Sequence, residues 1–204
     1  NPFPIYNLYN FNSPDLLYVH SESSKIFYSK YFKWPVKKVK KIPSLRIKKK
    51  KLIEFKNKIF LPYDFYSVDK IISNFKLFLN FNEIKKIKNP KIMIHPARQN
   101  SKKHLILKEK IKKIIRSYDH KFSENSGSSL SIHIGNTSTV IEALETNVPV
   151  IHIVCDPIFD FFSSQFWPSL KVHKFSNNVF KYSIKKMGKC LIFKNKASNF
   201  NKIH

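Results

Sequence analysis

The sequence predicts an α/β fold in which helices flank a parallel β-sheet. Short apolar runs typical of buried strands alternate with longer segments in which apolar residues recur about every 3.6 residues, the period of an amphipathic helix. Alternation of this kind produces right-handed βαβ units and therefore a parallel sheet. With 204 residues, 42% of them hydrophobic and 15% aromatic, the chain can bury a sizeable core, which argues against a largely disordered protein.

The N-terminal part predicts one strand and one helix before a basic segment. Residues 16–19 (LLYV) form a short apolar strand that runs into a polar loop at 20–24, and a helix is expected at 25–33. Pro35 and Pro43 interrupt the basic segment that follows, and its low apolar content indicates a linker.

The remainder of the chain carries the alternation on which the fold class depends. The expected strands are 59–61, 92–94, 130–134 and 148–154. The expected helices are 68–81, 105–115 and 140–144, and a last strand is placed after Gly188 within 185–193. Asn147 is expected to end the third of these helices in the left-handed conformation. This order of elements predicts a Rossmann-like sheet.

These elements divide the chain into three parts. Residues 1–36 are interpreted as a remnant of an N-terminal domain, 37–51 as a basic interdomain linker and 52–204 as a C-terminal Rossmann-like domain. The chain begins at Asn1 rather than Met, within an aromatic, Asn-rich stretch. We therefore expect it to be a fragment that lacks most of the N-terminal domain.

The net charge of +25 resembles that of a nucleic-acid-binding protein, but its make-up indicates another origin. Only three of the 38 basic residues are arginine, at Arg46, Arg98 and Arg116, whereas specific base readout relies most often on arginine. Lysine, isoleucine, asparagine, phenylalanine and tyrosine are enriched together, as an AT-rich coding bias produces. We interpret the charge mainly as lysine spread over solvated surfaces, and an anionic partner remains the alternative.

One basic cluster within 37–51 stands out from this background. Three interpretations of it stay open: contact with phosphorylated substrates, contact with an anionic membrane surface, and a solvated linker. Its members are Lys37, Lys38, Lys40, Lys41, Arg46, Lys48, Lys49, Lys50 and Lys51.

Cysteine spacing, glycine spacing and apolar run length exclude several classes of protein. Cys155 and Cys190 lack C-x-x-C spacing, so no zinc site is indicated and a reduced, cytoplasmic setting fits best. The three glycines are too far apart for a G-x-G-x-x-G fingerprint or a Walker A loop. No apolar run approaches the roughly 18 residues of a membrane helix.

Ligands of parallel α/β sheets bind outside the carboxyl ends of the strands, which directs attention to the residues after each strand. These residues are 62–64, 95–98, 135–139 and 155–157. In 135–139 a tight turn at Gly135 is followed by Thr137, Ser138 and Thr139 at the start of a helix. Backbone N–H groups and hydroxyls at such a position suit a phosphate, and a helix N-cap is the structural alternative.

The residues after the second of these strands also suit a phosphate. His95 can donate a hydrogen bond to a phosphate oxygen or protonate it as a leaving group forms, and Pro96 forces an extended turn there. Arg98 can add a bidentate contact. The structural alternative is a histidine that satisfies a loop carbonyl.

These residues resemble a known family of enzymes. The segment 135–151, GNTSTVIEALETNVPVI, resembles the donor-binding segment of GT-B glycosyltransferases, in which a Ser/Thr-rich turn opens a helix bearing Glu-Ala-Leu. His95-Pro96 together with 137–139 is similar to the HP and Ser-Ser/Thr motifs of bacterial sialyltransferases and polysialyltransferases. Surface-carbohydrate biosynthesis proteins have similar motifs, and the segment 43–46 (PSLR) resembles the segment that joins their two domains. The resemblance covers about residues 16–160.

The resemblance implies that 52–204 is the C-terminal, nucleotide-sugar-binding half of a GT-B enzyme, with a role for each matching residue. His95 would be the catalytic residue and contact the nucleotide phosphate or base. Glu142 would accept hydrogen bonds from the ribose hydroxyls. The remaining donor- and phosphate-binding residues would be Arg98, Gly135, Asn136, Thr137, Ser138 and Thr139.

Departures from the family pattern qualify these roles. Asn147 stands where most GT-B proteins have glycine, and the second, upstream glutamate of retaining enzymes is not evident. An inverting, metal-independent mechanism without a cofactor is therefore expected, since no D-x-D motif occurs either. The base of inverting GT-B enzymes usually belongs to the N-terminal domain, so His20, Ser21 and Glu22 are candidates to face a cleft between the domains.

The expected function is transfer of a sugar from a nucleotide-activated donor, CMP-linked or based on UDP or GDP, to a cell-surface polysaccharide or lipid-linked glycan. The fragment alone is expected to bind donor weakly and to transfer nothing. A polyol-phosphate transferase or sugar-nucleotide epimerase on the same scaffold is one alternative, and a basic RNA-binding protein is the other. Cytoplasmic location is expected, with contact at the inner face of the plasma membrane through the basic segment and no nucleic-acid partner.

Overall fold

A computed structural model describes residues 14–42, 55–81, 87–123, 127–135, 139–155 and 169–185, together with Thr137, Phe162, Ser164 and Trp167. The N-terminal unit consists of β1 (Leu17–Val19), α1 (Glu22–Tyr31) and β2 (Val39–Lys41). The strands β1 and β2 pair in parallel. Their core is formed by Leu17, Val19, Trp34 and Val39.

The central unit is a six-stranded sheet flanked by helices. Its strands are β3 (Lys58–Phe60), β5 (Lys91–Met93), β7 (Ser131–Ile134), β8 (Val150–Ile153), β9 (Leu170–Ser176) and β10 (Val179–Ile184). Its helices are α2 (Val68–Asn80), α3 (Lys102–Ser117) and α4 (Thr139–Glu145). A short parallel pair, β4 (Ile87–Lys88) and β6 (Phe122–Ser123), lies outside the sheet.

The strand order of the sheet is β5-β3-β7-β8-β10-β9. The first four strands of that order are parallel, and β10 and β9 are added antiparallel. The protein is therefore a mixed α/β fold with a mainly parallel central sheet, which is compatible with a Rossmann-like fold.

The central strands β7 and β8 are buried on both faces of the sheet, as their near-continuous apolar sequences predict. On one face, Ile59, Ile132 and Ile151 belong to the cluster that includes the buried residues of α2 and α3. On the other face, Val150 and Phe180 belong to the cluster that includes the buried residues of α4. Successive residues of β8 alternate between the two clusters because side chains along a strand point to opposite faces.

The structure confirms the predicted alternation of strands and helices between residues 58 and 153, with small shifts of the boundaries. The helix expected at 105–115 begins at Lys102, three residues earlier. Asn147 has φ of 59° and so lies in the left-handed region, as expected. Within the described ranges, no helix combines the length and the apolar character needed to cross a bilayer.

The antiparallel hairpin β9–β10 was not predicted, and the sheet is therefore mixed rather than purely parallel. The signal for it is Asn177-Asn178 between two alternating runs, since asparagine suits tight hairpin turns. The last strand, expected after Gly188, lies outside the described residues.

Two expectations for the N-terminal part are corrected. Residues 20–24 are not a loop throughout, because α1 already begins at Glu22, where the hydroxyl of Ser21 accepts a hydrogen bond from the Ser24 N–H at 2.9 Å. The basic segment expected to be a linker contains β2. Residues 43–51 of that segment lie outside the described residues, and the domain boundaries at 36/37 and 51/52 stay predictions.

The left-handed conformation at Asn147 generates a prediction about stability. Replacing Asn147 with alanine should lower the free energy of unfolding by about 1 kcal/mol, because a Cβ without a compensating polar group is disfavoured at positive φ. Asn147→Gly should stay within about 0.5 kcal/mol of the parent, because glycine adopts this conformation without a steric penalty. Urea denaturation followed by circular dichroism measures both, and equal losses in the two variants would contradict the conformation.

Candidate functional site

The loops after β3, β5 and β7 share one edge of the sheet. From β3 the chain crosses to β5 on one side and then returns to β7 on the other, so the strand order reverses next to β3. Ligands of open α/β sheets bind at such a reversal, outside the carboxyl ends of the strands. The carboxyl ends of β5 and β7 lie two strand spacings apart, or roughly 10 Å, which one nucleotide sugar can span.

Gly135 brings the loops after β7 and β3 into close approach. It is buried and has φ of 70°, and a Cβ placed there would lie 2.9 Å from the Cβ of Pro62. Its N–H donates to the carbonyl of Ile153 at 2.8 Å, and Nε2 of His152 donates to its carbonyl at 2.9 Å. Gly135 therefore permits a contact between the loops that any side chain would obstruct.

Tyr63, His95 and Arg98 form a cluster on this edge. The Arg98 Nε donates to the backbone carbonyl of Tyr63 at 3.2 Å, and the guanidinium lies over the Tyr63 ring at 4.4 Å from its centroid. His95 meets the Tyr63 ring edge to face, with 5.0 Å between the ring centroids. Tyr63 thus contacts both His95 and Arg98, the two residues predicted from the sequence. The sequence analysis singled out residues 62–64 but gave Tyr63 no role.

The ring of His95 has a defined orientation. Its Nδ1 accepts a hydrogen bond from the Ala97 N–H at 3.2 Å, so the neutral ring carries its proton on Nε2. His95 itself is exposed. The side chain therefore presents an N–H donor to a ligand at this edge.

The threonine hydroxyls of the turn before α4 bond within the protein. The hydroxyl of Thr137 accepts from the Thr139 N–H at 3.3 Å and lies 2.8 Å from the Thr139 hydroxyl. The Thr137 carbonyl accepts from the Val140 N–H at 3.4 Å. Both threonine hydroxyls therefore have hydrogen-bond partners within the protein, and the phosphate contacts expected of them stay a prediction. Asn136 and Ser138 lie outside the described residues.

Two buried histidines beneath this turn were missed by the sequence analysis. His133 and His152 are register partners on β7 and β8, and they are 0% and 2% exposed. The Nε2 of His133 lies 2.7 Å from the Ser131 hydroxyl, and its Nδ1 lies 3.0 Å from the Thr139 hydroxyl. In the sequence each appears only as a histidine within an apolar strand. Such a position does not predict which residues the side chain contacts.

Burial lowers the pKa of His133 well below its usual value, and the neighbouring His152 lowers it further. The neutral His133 ring is stacked on Phe60, with 4.7 Å between the centroids. Nε2 of His152 donates to the Gly135 carbonyl, and its Nδ1 lies 3.2 Å from the Tyr182 hydroxyl. Gly135 and Thr139, the two ends of the segment 135–139, are thus each bonded to a histidine buried in the sheet.

The remaining predicted residues lie on other elements, α4 and the N-terminal unit. Glu142 is in the first turn of α4 and is half-buried. Ser21 is 2% exposed and caps α1, and Glu22 pairs with Lys41 at 2.8 Å, so both make contacts within the N-terminal unit. His20 is exposed at the end of β1.

Over the residues that can be described, no group of three or more histidine, cysteine, aspartate or glutamate side chains is arranged to hold a metal ion. Cys155, just after β8, is buried. Neither a protein-family model, nor a curated protein, nor a solved structure matches the chain.

The contact between Gly135 and Pro62 generates a prediction about stability. Gly135→Ala should lower the free energy of unfolding by about 2–3 kcal/mol, since it combines a positive φ with an overlap against Pro62. Gly127→Ala, at an exposed glycine, is the matched control. Chemical denaturation measures both variants, and an unchanged Gly135→Ala protein would contradict the close approach of the two loops.

The buried His133 generates a prediction about pH. Unfolded histidine binds a proton near pH 6.5, whereas folded His133 binds one only at lower pH, so stability is lost as pH falls below about 6.5. This one group contributes a slope of at most about 1.4 kcal/mol per pH unit in that window.

Denaturant unfolding at pH 7.5 and 5.5 tests this slope. The loss of stability between the two pH values should be smaller in His133→Asn than in the parent, because asparagine does not titrate. The same replacement at exposed His20 is the control. Equal losses in the parent and in His133→Asn would show that His133 does not resist protonation.

Proposed function

We propose that this chain is the donor-binding part of a glycosyltransferase that transfers a sugar from a nucleotide-activated donor to a cell-surface polysaccharide or glycolipid. The observation that carries the proposal is the cluster of Tyr63, His95 and Arg98 on the carboxyl edge beside the reversal of strand order. One fixed cation and one oriented N–H donor at that place suit the phosphate of a nucleotide.

Arg98 supplies the charge in this proposal. Its Nε donates to the Tyr63 carbonyl and its guanidinium lies over the Tyr63 ring, so the terminal nitrogens are the groups that would pair with phosphate oxygens. Holding the guanidinium in advance reduces the side-chain entropy lost when a ligand binds. A lysine can contact a ring and a carbonyl in the same way, as Lys103 does with Phe65, but it has no planar fork of two further nitrogens to offer a phosphate.

His95 donates a hydrogen bond to the phosphate through Nε2 and so stabilises the charge that develops on the leaving nucleotide. Transfer of a proton from this ring would require a second proton on Nδ1, which now accepts from Ala97. We therefore favour the role of hydrogen-bond donor over that of general acid. An inverting transfer would take its base from outside this cluster, and the proposed reaction involves no metal or cofactor.

The burial of the central strands weighs against the RNA-binding alternative. Proteins that stack bases on a sheet need exposed aromatics on one face, whereas β7 and β8, at the centre of the described sheet, are buried on both faces. A polyol-phosphate transferase or an epimerase would use the same anion contacts and stays an alternative. A cytoplasmic location is part of the proposal.

Removing the guanidinium should weaken nucleotide binding. Arg98→Gln should raise the dissociation constant for the best of CMP, UDP and GDP by about 10–100-fold, since a hydrogen bond to a charged group contributes about 1.5–3 kcal/mol. Ligand-observed NMR suits the weak binding expected of this chain. Arg116→Gln is the matched control, because Arg116 is exposed in the last turn of α3.

Graded replacement of His95 completes this experiment. His95→Gln keeps an N–H donor near the Nε2 position and should bind nearly as the parent does, whereas His95→Ala should bind about tenfold more weakly. Nucleotide binding that neither Arg98→Gln nor His95→Ala changes would refute the proposed site. Binding of RNA alone, equally unaffected by both variants, would favour the RNA-binding alternative.

A further inference from the structure

Exposed apolar side chains gather beside lysines near the start of α3. Tyr66 is 94% exposed, Ile106 is 54% exposed and Leu105 is 43% exposed. Leu105 and Ile106 stand on the face of α3 opposite His104 and Leu107, which are buried. The core of the central unit therefore does not account for these two side chains.

Two contacts place these residues on one surface. The Lys103 ammonium donates to the carbonyl of Phe65, and the Lys110 ammonium pairs with Asp69 at 2.9 Å. Ile106 lies one helical turn from each of these lysines, so it borders the segment 65–69 that carries Tyr66. We call Tyr66, Leu105 and Ile106, with the exposed Lys70 and Lys102, the Tyr66–Ile106 surface.

The charge around this surface is positive. Lys70, Lys102 and Lys113 are exposed there. The acidic residues of the same helices, Asp69 and Glu109, each form an ion pair with a lysine, Lys110 and Lys112 respectively. Asp64 is the exposed acid of the neighbouring loop, and its Oδ1 accepts from the Phe65 N–H.

We propose that the Tyr66–Ile106 surface docks the protein on an anionic phospholipid bilayer. Lysines around a small apolar patch match an anionic headgroup layer over an acyl interior, and tyrosine prefers the boundary between the two. Nucleic acid would match the lysines but gives Leu105 and Ile106 no apolar partner. This surface is separate from the basic segment 37–51, and its docking does not depend on the proposed function.

The Tyr66–Ile106 surface lies near the same edge of the sheet as the cluster at Tyr63, the edge formed by the carboxyl ends of the strands. Tyr66 follows Tyr63 by three residues in the loop after β3, and α3 begins after the carboxyl end of β5. A bilayer docked there would present its headgroups next to the carboxyl edge. The surface would thus bring that edge to substrates carried in a membrane.

Vesicle sedimentation of the 204-residue chain tests the docking, with vesicles of phosphatidylcholine alone or mixed with about 30% phosphatidylglycerol. Ile106→Ser and Tyr66→Ser should each weaken binding to the anionic vesicles by about tenfold, because they remove the inserted apolar groups. The controls are Leu16→Ser and Tyr18→Ser, whose residues are 42% and 44% exposed in the N-terminal unit.

A charge series separates this surface from the positive charge of the whole chain. Lys70→Gln and Lys102→Gln should each weaken binding to the anionic vesicles by about fivefold. Lys171→Gln and Lys181→Gln, on the hairpin β9–β10 at the far edge of the sheet, should have much smaller effects. All these positions are exposed, so unchanged melting temperatures will show that the variants fold.

Three outcomes would overturn the proposal. The first is equal binding to vesicles with and without phosphatidylglycerol. The second is binding to anionic vesicles that Ile106→Ser and Tyr66→Ser do not weaken relative to their controls. The third is a loss of oligonucleotide binding in Lys70→Gln and Lys102→Gln while vesicle binding stays intact, which would identify a nucleic-acid surface instead.

Discussion

The carboxyl edge of the sheet depends on the approach of Gly135 to Pro62. The strand order places β3 between β5 and β7, so the loop after β3 has a neighbour on either side. On the β7 side, the missing Cβ at Gly135 lets the chain turn against Pro62. On the β5 side, Tyr63 supports Arg98 and meets His95. The loop of residues 61–64 therefore contacts both the loop after β7 and the loop after β5. A displacement of Gly135 would shift Pro62 and, with it, the neighbouring Tyr63.

Polar groups inside the sheet fix the same turn from beneath. Burying an imidazole without hydrogen-bond partners costs free energy. His133 and His152 avoid this cost because both ring nitrogens of each lie within hydrogen-bond distance of a partner. Two of those bonds end on Thr139 and on the Gly135 carbonyl, at the two ends of the turn. The sheet therefore positions Gly135 and Thr139 through specific hydrogen bonds from its interior, where burial lowers the pKa of His133.

The fold was predictable from the sequence wherever burial leaves a recognisable pattern of apolar residues. Buried parallel strands are apolar runs, and α2 and α3 show the helical period because one face of each is covered. The hairpin β9–β10 escaped because β9 is mostly exposed and carries lysine and histidine among its apolar residues. β4 and β6 have two residues each, too few for any pattern. Ser21 was interpreted as part of a loop, although its hydroxyl caps α1.

The sequence predicts where the residues of the candidate site lie in the fold, but not which residues they contact. The rule that ligands meet the carboxyl ends of strands directs attention to 95–98 and 135–139, whereas the bond from Arg98 to Tyr63 joins residues 35 positions apart. Composition adds an argument that only the structure makes visible. A coding bias that favours lysine leaves arginine at three positions, and at one of them the guanidinium lies over a ring and its Nε bonds a carbonyl. A lysine can make both contacts, as Lys103 does with Phe65, but it has a single nitrogen and so no planar fork for a phosphate. Arg116 is exposed in the last turn of a helix, where either cation would serve, so the geometry at Tyr63 rather than the residue type distinguishes Arg98.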